Sequence, residues 1–484
     1  MFKLIAGTGL LAGLSAGIAV SVSASGGNAA ADSAQVYAQH CTSCHGERRY
    51  GGYAPPLIPQ ALGRKSDAEL RKTLLEGRPN TQMAGFSTVL DAAAADAMVA
   101  FMREPAGDIQ WTPADVAASR VTFPETAPAM PPKVDRENLI LVVERGTGSM
   151  VVLDGGTLRE IDRFETGRVH GGPKFDRALR RVFAATRDGT VFGYDLARGG
   201  LRGKVKVAVN TRNIALSPDG ELLAAVNQLP ASLLLLDADL RPLQSLPLPG
   251  QPSGVYQVPG EPRFMLTLRD APLLFFLPYA AHQGERALRR VELPEPFEDF
   301  TFIPGRPEIL ASSREGKRIH RYDYARGRVL ASLETEALPH LFSACFFSQG
   351  ERRLAALNHI GLPRLSIVDL DTFQVVREIP LAGSGYFVRT HEGTPYLWAD
   401  TNSEQIQLVD KRTLEPAGSL TPEAGKKAMH VEFTKDGGRA LVSVWNPKGA
   451  VVVYDSTSLE ETARLPYAMP IGKYNAWNKT SLLR

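Results

Sequence analysis

Two of the chain's three cysteines stand in Cys41-Thr42-Ser43-Cys44-His45. At this spacing two thiols can form thioethers to haem vinyl groups while the next residue turns its imidazole to the iron. A structural zinc site would want four ligands, and no second cysteine pair exists. Haem c is therefore expected on Cys41 and Cys44, with His45 as an axial ligand. Met83 lies 38 residues after His45, in the loop RPNTQMAGF, and is expected as the second axial ligand. A His/Met pair raises the potential and suits electron acceptance. Met98 and Met102 fall on a helical pattern and are assigned to the core, where methionine fills gaps. Cys345, in FSACFFS, reads as an inert buried thiol.

A second constellation is spread over the remaining chain. His170, Asn213, Tyr386 and His430 each stand six residues before an acidic turn residue (Asp176, Asp219, Glu392, Asp436), and Glu298 stands six before Pro304. His340 and a Ser253-Gly254 slot fit the series less regularly. Tyr474, 44 residues after His430, supplies the eighth member. A parallel series is Arg145, Arg187, Asn227, Arg269, Arg314, His359, Asn402 and Trp445. Four arginines at equivalent places imply a polyanionic ligand, since the guanidinium fork matches carboxylates. Good turn formation explains the Asp-Gly that follows Arg187 but not the repeated arginine. One histidine at a strand start is more often structural. Three of the chain's nine in one series favour a metal or proton-transfer site.

What must position these residues is a repeat, seen most clearly in TGRVHGGPKFDRALRRVFAATRDGTVFGYD at 166 to 195. Asp154, Asp195, Asp237, Asp323, Asp369, Asp410 and Asp455 each close a β-branched run, at intervals of 41, 42, 86, 46, 41 and 45 residues. The double interval contains a weaker copy, RDAPLLFFLPY, ending near Pro278, which makes eight copies. Several short strands per 40 to 45 residues is the pattern of a β-propeller. Residues 137–484 are accordingly read as an all-β, eight-bladed propeller. The first series starts the innermost strands and the arginine series occupies the next turn, so both face one mouth of the channel. The chain enters its first blade at Asn138 without an innermost strand, while GKYNAWN remains after the last copy. The two ends are expected to share one blade.

Residues 32–105 read as an all-α class I cytochrome c domain. DSAQVYAQH is a helix, Ser66 and Glu69 form a capping box opening SDAELRKTLLEG, Gly77 stops that helix, and DAAAADAMVAFMRE is a third. Small cytochromes c carry their axial methionine where Met83 stands. Residues 106–136, rich in proline, read as a semi-rigid linker.

A net charge of +3, from 55 basic and 52 acidic residues, gives no argument for a nucleic-acid partner. Lys3 and the apolar, small-residue run from Leu4 to Val22 read as a secretory signal within residues 1–31, cleaved near 24 or 31. No cysteine follows it to carry a lipid, and no membrane-spanning segment remains once it is removed. A periplasmic protein is expected.

At this point the chain resembles the cytochrome cd1 nitrite reductases, which join a cytochrome c domain to a propeller that binds haem d1. The resemblance rests on TGRVHGGPKFD and on EFTKDGGRALVSVWNPKGAVVVYDSTSLE followed by GKYNAWNKT. It implies that His170 is the proximal ligand of the d1 iron. The reductases use two distal histidines, and the resemblance supplies a counterpart for only one, His340; Glu298 stands in the other slot, and the reductases have no histidine at the place of His430. Nitrite reduction is thereby disfavoured. The dihydro-haem d1 dehydrogenase family is more similar. Its resemblance assigns catalysis to His430 and Tyr474, and implies that a propionate of dihydro-haem d1 is oxidised to acrylate with electrons passing to haem c. Cofactor contacts then fall to Cys41, Cys44, His170, His340, Arg145, Arg187, Arg269 and Arg314, and metal ligation to His45, Met83 and His170.

Such a desaturation needs a base, an electron sink and a grip on carboxylates. His430 is the expected base, with Tyr474 a second proton acceptor or an orienting group. The implied partners are the dihydro-haem d1 substrate, an electron-accepting cytochrome and a cytochrome cd1 nitrite reductase as recipient of haem d1. The alternatives are a haem d1 carrier, a biosynthetic role like that of the haem-free NirF propeller, and a divergent nitrite reductase.

Overall fold

The computed structural model describes residues 29–52, 54–63, 65–78, 83–124, 130–280, 288–313 and 317–481. The proposed signal lies almost wholly outside the described residues, as does Arg314. No helix among the described residues is long and apolar enough to cross a membrane.

The N-terminal helices fall where expected. Helix Asp67–Glu76 starts with the Ser66/Glu69 capping box and stops at Gly77, whose φ of 80° is costly for any residue with a Cβ. Helix Ala92–Arg103 is capped by the Asp91 carboxylate, which accepts from the N–H of Ala94. It packs on helix Ala29–His40 through an apolar cluster that includes Tyr37, Leu70, Leu74, Val99 and both Met98 and Met102. The last two are 1% and 2% exposed. They are core, as expected.

Among the described residues the strands form eight antiparallel sheets, seven four-stranded and one five-stranded. Blade 1 unites Pro470–Asn475, as its innermost strand, with Leu139–Glu144, Ser149–Asp154 and Glu160–Glu165. Tyr474 pairs with Leu141 in that closing seam. Blades 2 to 8 follow in chain order, beginning at Lys174, Asn210, Pro252, Asp299, Cys345, Val388 and Ala428. The weak copy at Leu273–Pro278 is the third strand of blade 4.

The recurrent aspartate has a local cause. Each ends a third strand, and its Oδ1 accepts N–H groups of the following turn, as Asp369 does from Asp371 and Thr372 and Asp455 from Thr457 and Ser458. In five blades that turn ends in a left-handed apolar residue (Leu158, Leu240, Phe373, Leu414, Leu459). Phe373, at φ 54°, is 2% exposed. The bulky side chain plugs an interblade core, which offsets the strain of its backbone.

Each junction between neighbouring blades has its own apolar cluster. Leu216, Leu223 and Leu236 help join blades 2 and 3, and Ile140, Leu153, Leu441 and Val453 join blade 8 to blade 1. No blade buries its faces alone, so the ring is stable only when closed.

The proline-rich linker segment is laid onto the ring. Pro113–Ala118 is a helix, Val121–Thr122 adds a fifth strand to the outer edge of blade 2, and Trp111 donates from Nε1 to the carbonyl of Lys206 at 3.0 Å.

Candidate active site at one mouth of the propeller

In the cytochrome segment His45 is 7% exposed and its Nδ1 donates to the Pro55 carbonyl at 2.7 Å. That bond fixes the tautomer and leaves Nε2 as the ligating nitrogen. Burial lowers its pKa, which favours the neutral form an iron needs. Met83 packs on the core from the loop after helix Asp67–Glu76, and its carbonyl accepts from the N–H of Arg78 at 2.9 Å. The residues present fit a haem with His45 and Met83 as axial candidates.

Several of the expected positions are brought together around His170 and Arg187. His170 precedes the short first strand of blade 2 and donates its N–H to the Ala185 carbonyl. Arg187 follows the second strand of the same blade, one turn away, and its Nη2 reaches His170 Nε2 at 2.8 Å. Burial holds the Arg187 guanidinium well below its ordinary pKa, with further lowering from Arg212, Arg269 and Arg145. Burial and the facing Arg187, Arg212 and Arg145 likewise hold His170 far below the usual histidine range. Arg145 is also depressed, by burial first and Arg168 second. These side chains are surrounded by protein yet partly open to water, as residues lining a channel are.

Among the described residues, the buried polar atoms without hydrogen-bond partners include the donors Arg145 Nε, Arg389 Nε and Trp445 Nε1. Buried polar groups are normally satisfied. Unsatisfied donors beside mutually repelling guanidiniums suit a large ligand bearing several carboxylates, such as a tetrapyrrole.

Beside Arg145 and Arg389 lies an aromatic and histidine cluster. The His430 ring stands 5.3 Å from Tyr474 and 4.9 Å from Phe387, centroid to centroid. His340 packs 5.5 Å from Phe387 and donates from Nδ1 to the Tyr386 carbonyl at 2.8 Å, leaving its Nε2 lone pair open. Burial, then Lys473 and Arg389, hold His430 well below the usual histidine range, so it is neutral at neutral pH. Its Nδ1 receives the N–H of Lys473 at 3.4 Å, long enough to be weak, while Nε2 makes no hydrogen bond to any of the described residues. Burial raises the Tyr474 phenol to about 12. A phenol that stays protonated donates a hydrogen bond, which favours the orienting role over that of a second proton acceptor.

Three expectations change. Asn213 does not serve the mouth: it bonds both the N–H and the carbonyl of Val255, at 2.9 and 3.0 Å, and ties blade 3 to blade 4. Asn227 lies inside a strand rather than in a turn, and accepts from Thr211. Glu298 is not a bare anion in the slot of a distal histidine, because its Oε1 pairs with Arg269 at 2.9 Å, which offsets the repulsion a lone carboxylate would exert on an incoming anion. That same pair engages one of the four arginines. Cys345 is buried as expected, its thiol pushed up to about 12 by burial.

Several residues of this region escaped the sequence reading. Arg212, which donates to the Ser253 carbonyl at 2.9 Å, has no counterpart in the repeat. Asp400 and Lys473 stand next to recognised positions and carry no motif of their own.

Residues 134–479 match the family described as Cytochrome D1 heme domain, and residues 28–102 match Cytochrome C oxidase, cbb3-type, subunit III. The chain is 40% identical to the dihydro-heme d1 dehydrogenase of Pseudomonas aeruginosa, over 97% of its own length and 98% of that protein's. The chain belongs to this dehydrogenase family of cytochrome D1 heme domain proteins. A solved structure titled dihydro-heme d1 dehydrogenase NirN in complex with DHE superposes on the chain with a TM-score of 0.77 at 40% identity, covering 92% of this chain and 99% of that one. Protein NirF of Stutzerimonas stutzeri is 26% identical over 72% of this chain and 93% of its own.

Proposed function

We propose that the chain is a dihydro-haem d1 dehydrogenase, converting a propionate –CH2–CH2–COO⁻ of dihydro-haem d1 to –CH=CH–COO⁻ with release of two protons and two electrons. The observation that carries this reading is the neutral His430 against Tyr474, with Arg145 within electrostatic reach of both Tyr474 and Arg187. Arg145 and Arg187 bind substrate carboxylates, and relief of their mutual repulsion adds to the affinity. His170 takes the substrate iron through Nε2 once Arg187 turns to a carboxylate. His430 is the proton acceptor; because Nδ1 takes up the Lys473 N–H, accepting at Nε2 requires the other neutral tautomer, in which that 3.4 Å contact is given up. Tyr474 Oη donates to and orients the reacting side chain.

Haem c, held by Cys41, Cys44, His45 and Met83, supplies a one-electron acceptor, so an external cytochrome completes the two-electron removal. A periplasmic location, the domain limits 32–105, 106–136 and 137–484, and delivery of product to a cytochrome cd1 nitrite reductase belong to the same proposal. Anaerobic mixing of the oxidised holoprotein with dihydro-haem d1 tests it. Haem c should be reduced in step with conversion of the d1 spectrum; binding without haem c reduction would leave a carrier.

A further inference from the structure

His430 is held in an unusual way. It is the extra residue of a β-bulge in blade 8: Met429 pairs with Ser443 and Val431 with Val442, and His430 has no opposite number. Its φ is 50°, a left-handed conformation that a residue with a Cβ adopts only under strain. The bulge removes both its backbone polar groups from the sheet ladder, and at 2% exposure neither can turn to water.

Two buried, chargeable side chains from neighbouring blades take up these groups. The His430 N–H donates to Asp400 Oδ2 at 3.3 Å. The His430 carbonyl accepts from Lys473 Nζ, which also donates to Ser443 Oγ at 2.6 Å, opposite the bulge. Asp400 and Lys473 are 1% and 0% exposed. Burying an ammonium and a carboxylate is expensive, and apolar residues would fill such volumes at lower cost. Asp400 does more: its Oδ1 accepts from the N–H groups of Tyr386 and Phe387 at 2.7 and 3.1 Å, and the Tyr386 carbonyl holds His340 Nδ1. Phe387 is the ring on which both His340 and His430 pack.

From this geometry we infer that Asp400 and Lys473 are positioning residues for the dehydrogenation, a clamp that grips the His430 peptide from both sides and aims its imidazole at the reacting side chain. Lys473 belongs to the closing strand of blade 1, next to Tyr474, so one strand sets the positions of both members of the pair. The clamp touches neither substrate nor iron. It acts through the backbone of His430, and the inference rests on the catalytic role given to that residue above.

The test compares Lys473→Met and the isosteric Asp400→Asn with His430→Ala in the full holoprotein. Measured are the affinity and spectrum of bound dihydro-haem d1 and the single-turnover rate of haem c reduction. The clamp predicts that each clamp variant binds the substrate with wild-type spectrum and an affinity within about threefold, while the rate falls on the order of 100-fold, the effect of a reacting group displaced by about 1 Å. A wild-type rate in either variant that retains binding overturns the clamp while leaving His430 in place. Loss of binding together with rate in both variants also overturns it, since the pair would then support the fold generally. A wild-type rate in His430→Ala would instead overturn the role of His430 itself.

Discussion

Arg187 Nη2 lies 2.8 Å from His170 Nε2, and because a guanidinium only donates, the histidine presents a lone pair at that atom. The nitrogen that would ligate an iron is thus covered by the side chain best suited to a carboxylate. Substrate entry exchanges one contact for two. Replacing Arg187 with Gln should weaken dihydro-haem d1 binding by roughly tenfold or more, the loss of one charge-assisted hydrogen bond. The same change should raise the stability of the ligand-free propeller, because it removes one cation from a buried cluster of like charges. Titration and thermal unfolding of the same preparation check both signs.

His170→Ala should leave folding intact, since the side chain lines a channel rather than an interblade core, but should weaken or reorganise the bound d1 spectrum. An unchanged affinity and spectrum would move the iron ligand to another ring position, with His340 and its open Nε2 next in line.

Met83→Ala should change the haem c spectrum and lower its midpoint potential, because a soft thioether ligand is lost. Met98→Leu and Met102→Leu should leave the potential in place, as both side chains are packed in the helical core. Redox titration of the three variants separates ligand from core.

His430→Ala should bind dihydro-haem d1 while reducing haem c roughly 10²- to 10⁴-fold more slowly, the usual contribution of a positioned proton-transfer group; Tyr474→Phe should also bind it and react more slowly, by the smaller amount that loss of one orienting hydrogen bond costs. The wild-type rate should stay flat as pH falls through the ordinary histidine range near 6.5, because the folded pKa of His430 lies well below it. Stopped-flow traces between pH 5 and 8 decide this.

His359, 3% exposed with its Nε2 bonded to Ser366 at 2.8 Å, has its pKa lowered to about 4 by burial first and Arg364 second. Between about 6.5 and 4 the unfolded chain therefore binds a proton that the native state refuses, and stability falls as pH drops through that window. Above it the residue contributes no pH dependence. His359→Gln should make the loss shallower by up to about 1.4 kcal/mol per pH unit, measured by urea unfolding at successive pH values.

What repeats along the chain was legible in the sequence, because it has local causes. The aspartates recur because an Asx turn needs a carboxylate at a set distance from the following N–H groups, and the thioether motif is a fixed spacing within one helical turn. Closure of the ring by GKYNAWN followed from counting strands. Most of the mouth could be placed the same way, since His170, His340, Arg145, Arg187, His430 and Tyr474 occupy repeat-equivalent positions. Only the tertiary structure decided what surrounds them. The pairing of Glu298 with Arg269, the use of Asn213 as an interblade tie and the capture of the His430 peptide by Asp400 and Lys473 all join side chains from different blades or loops. Those distances depend on how twisted sheets pack around a ring, and no spacing within one strand encodes them.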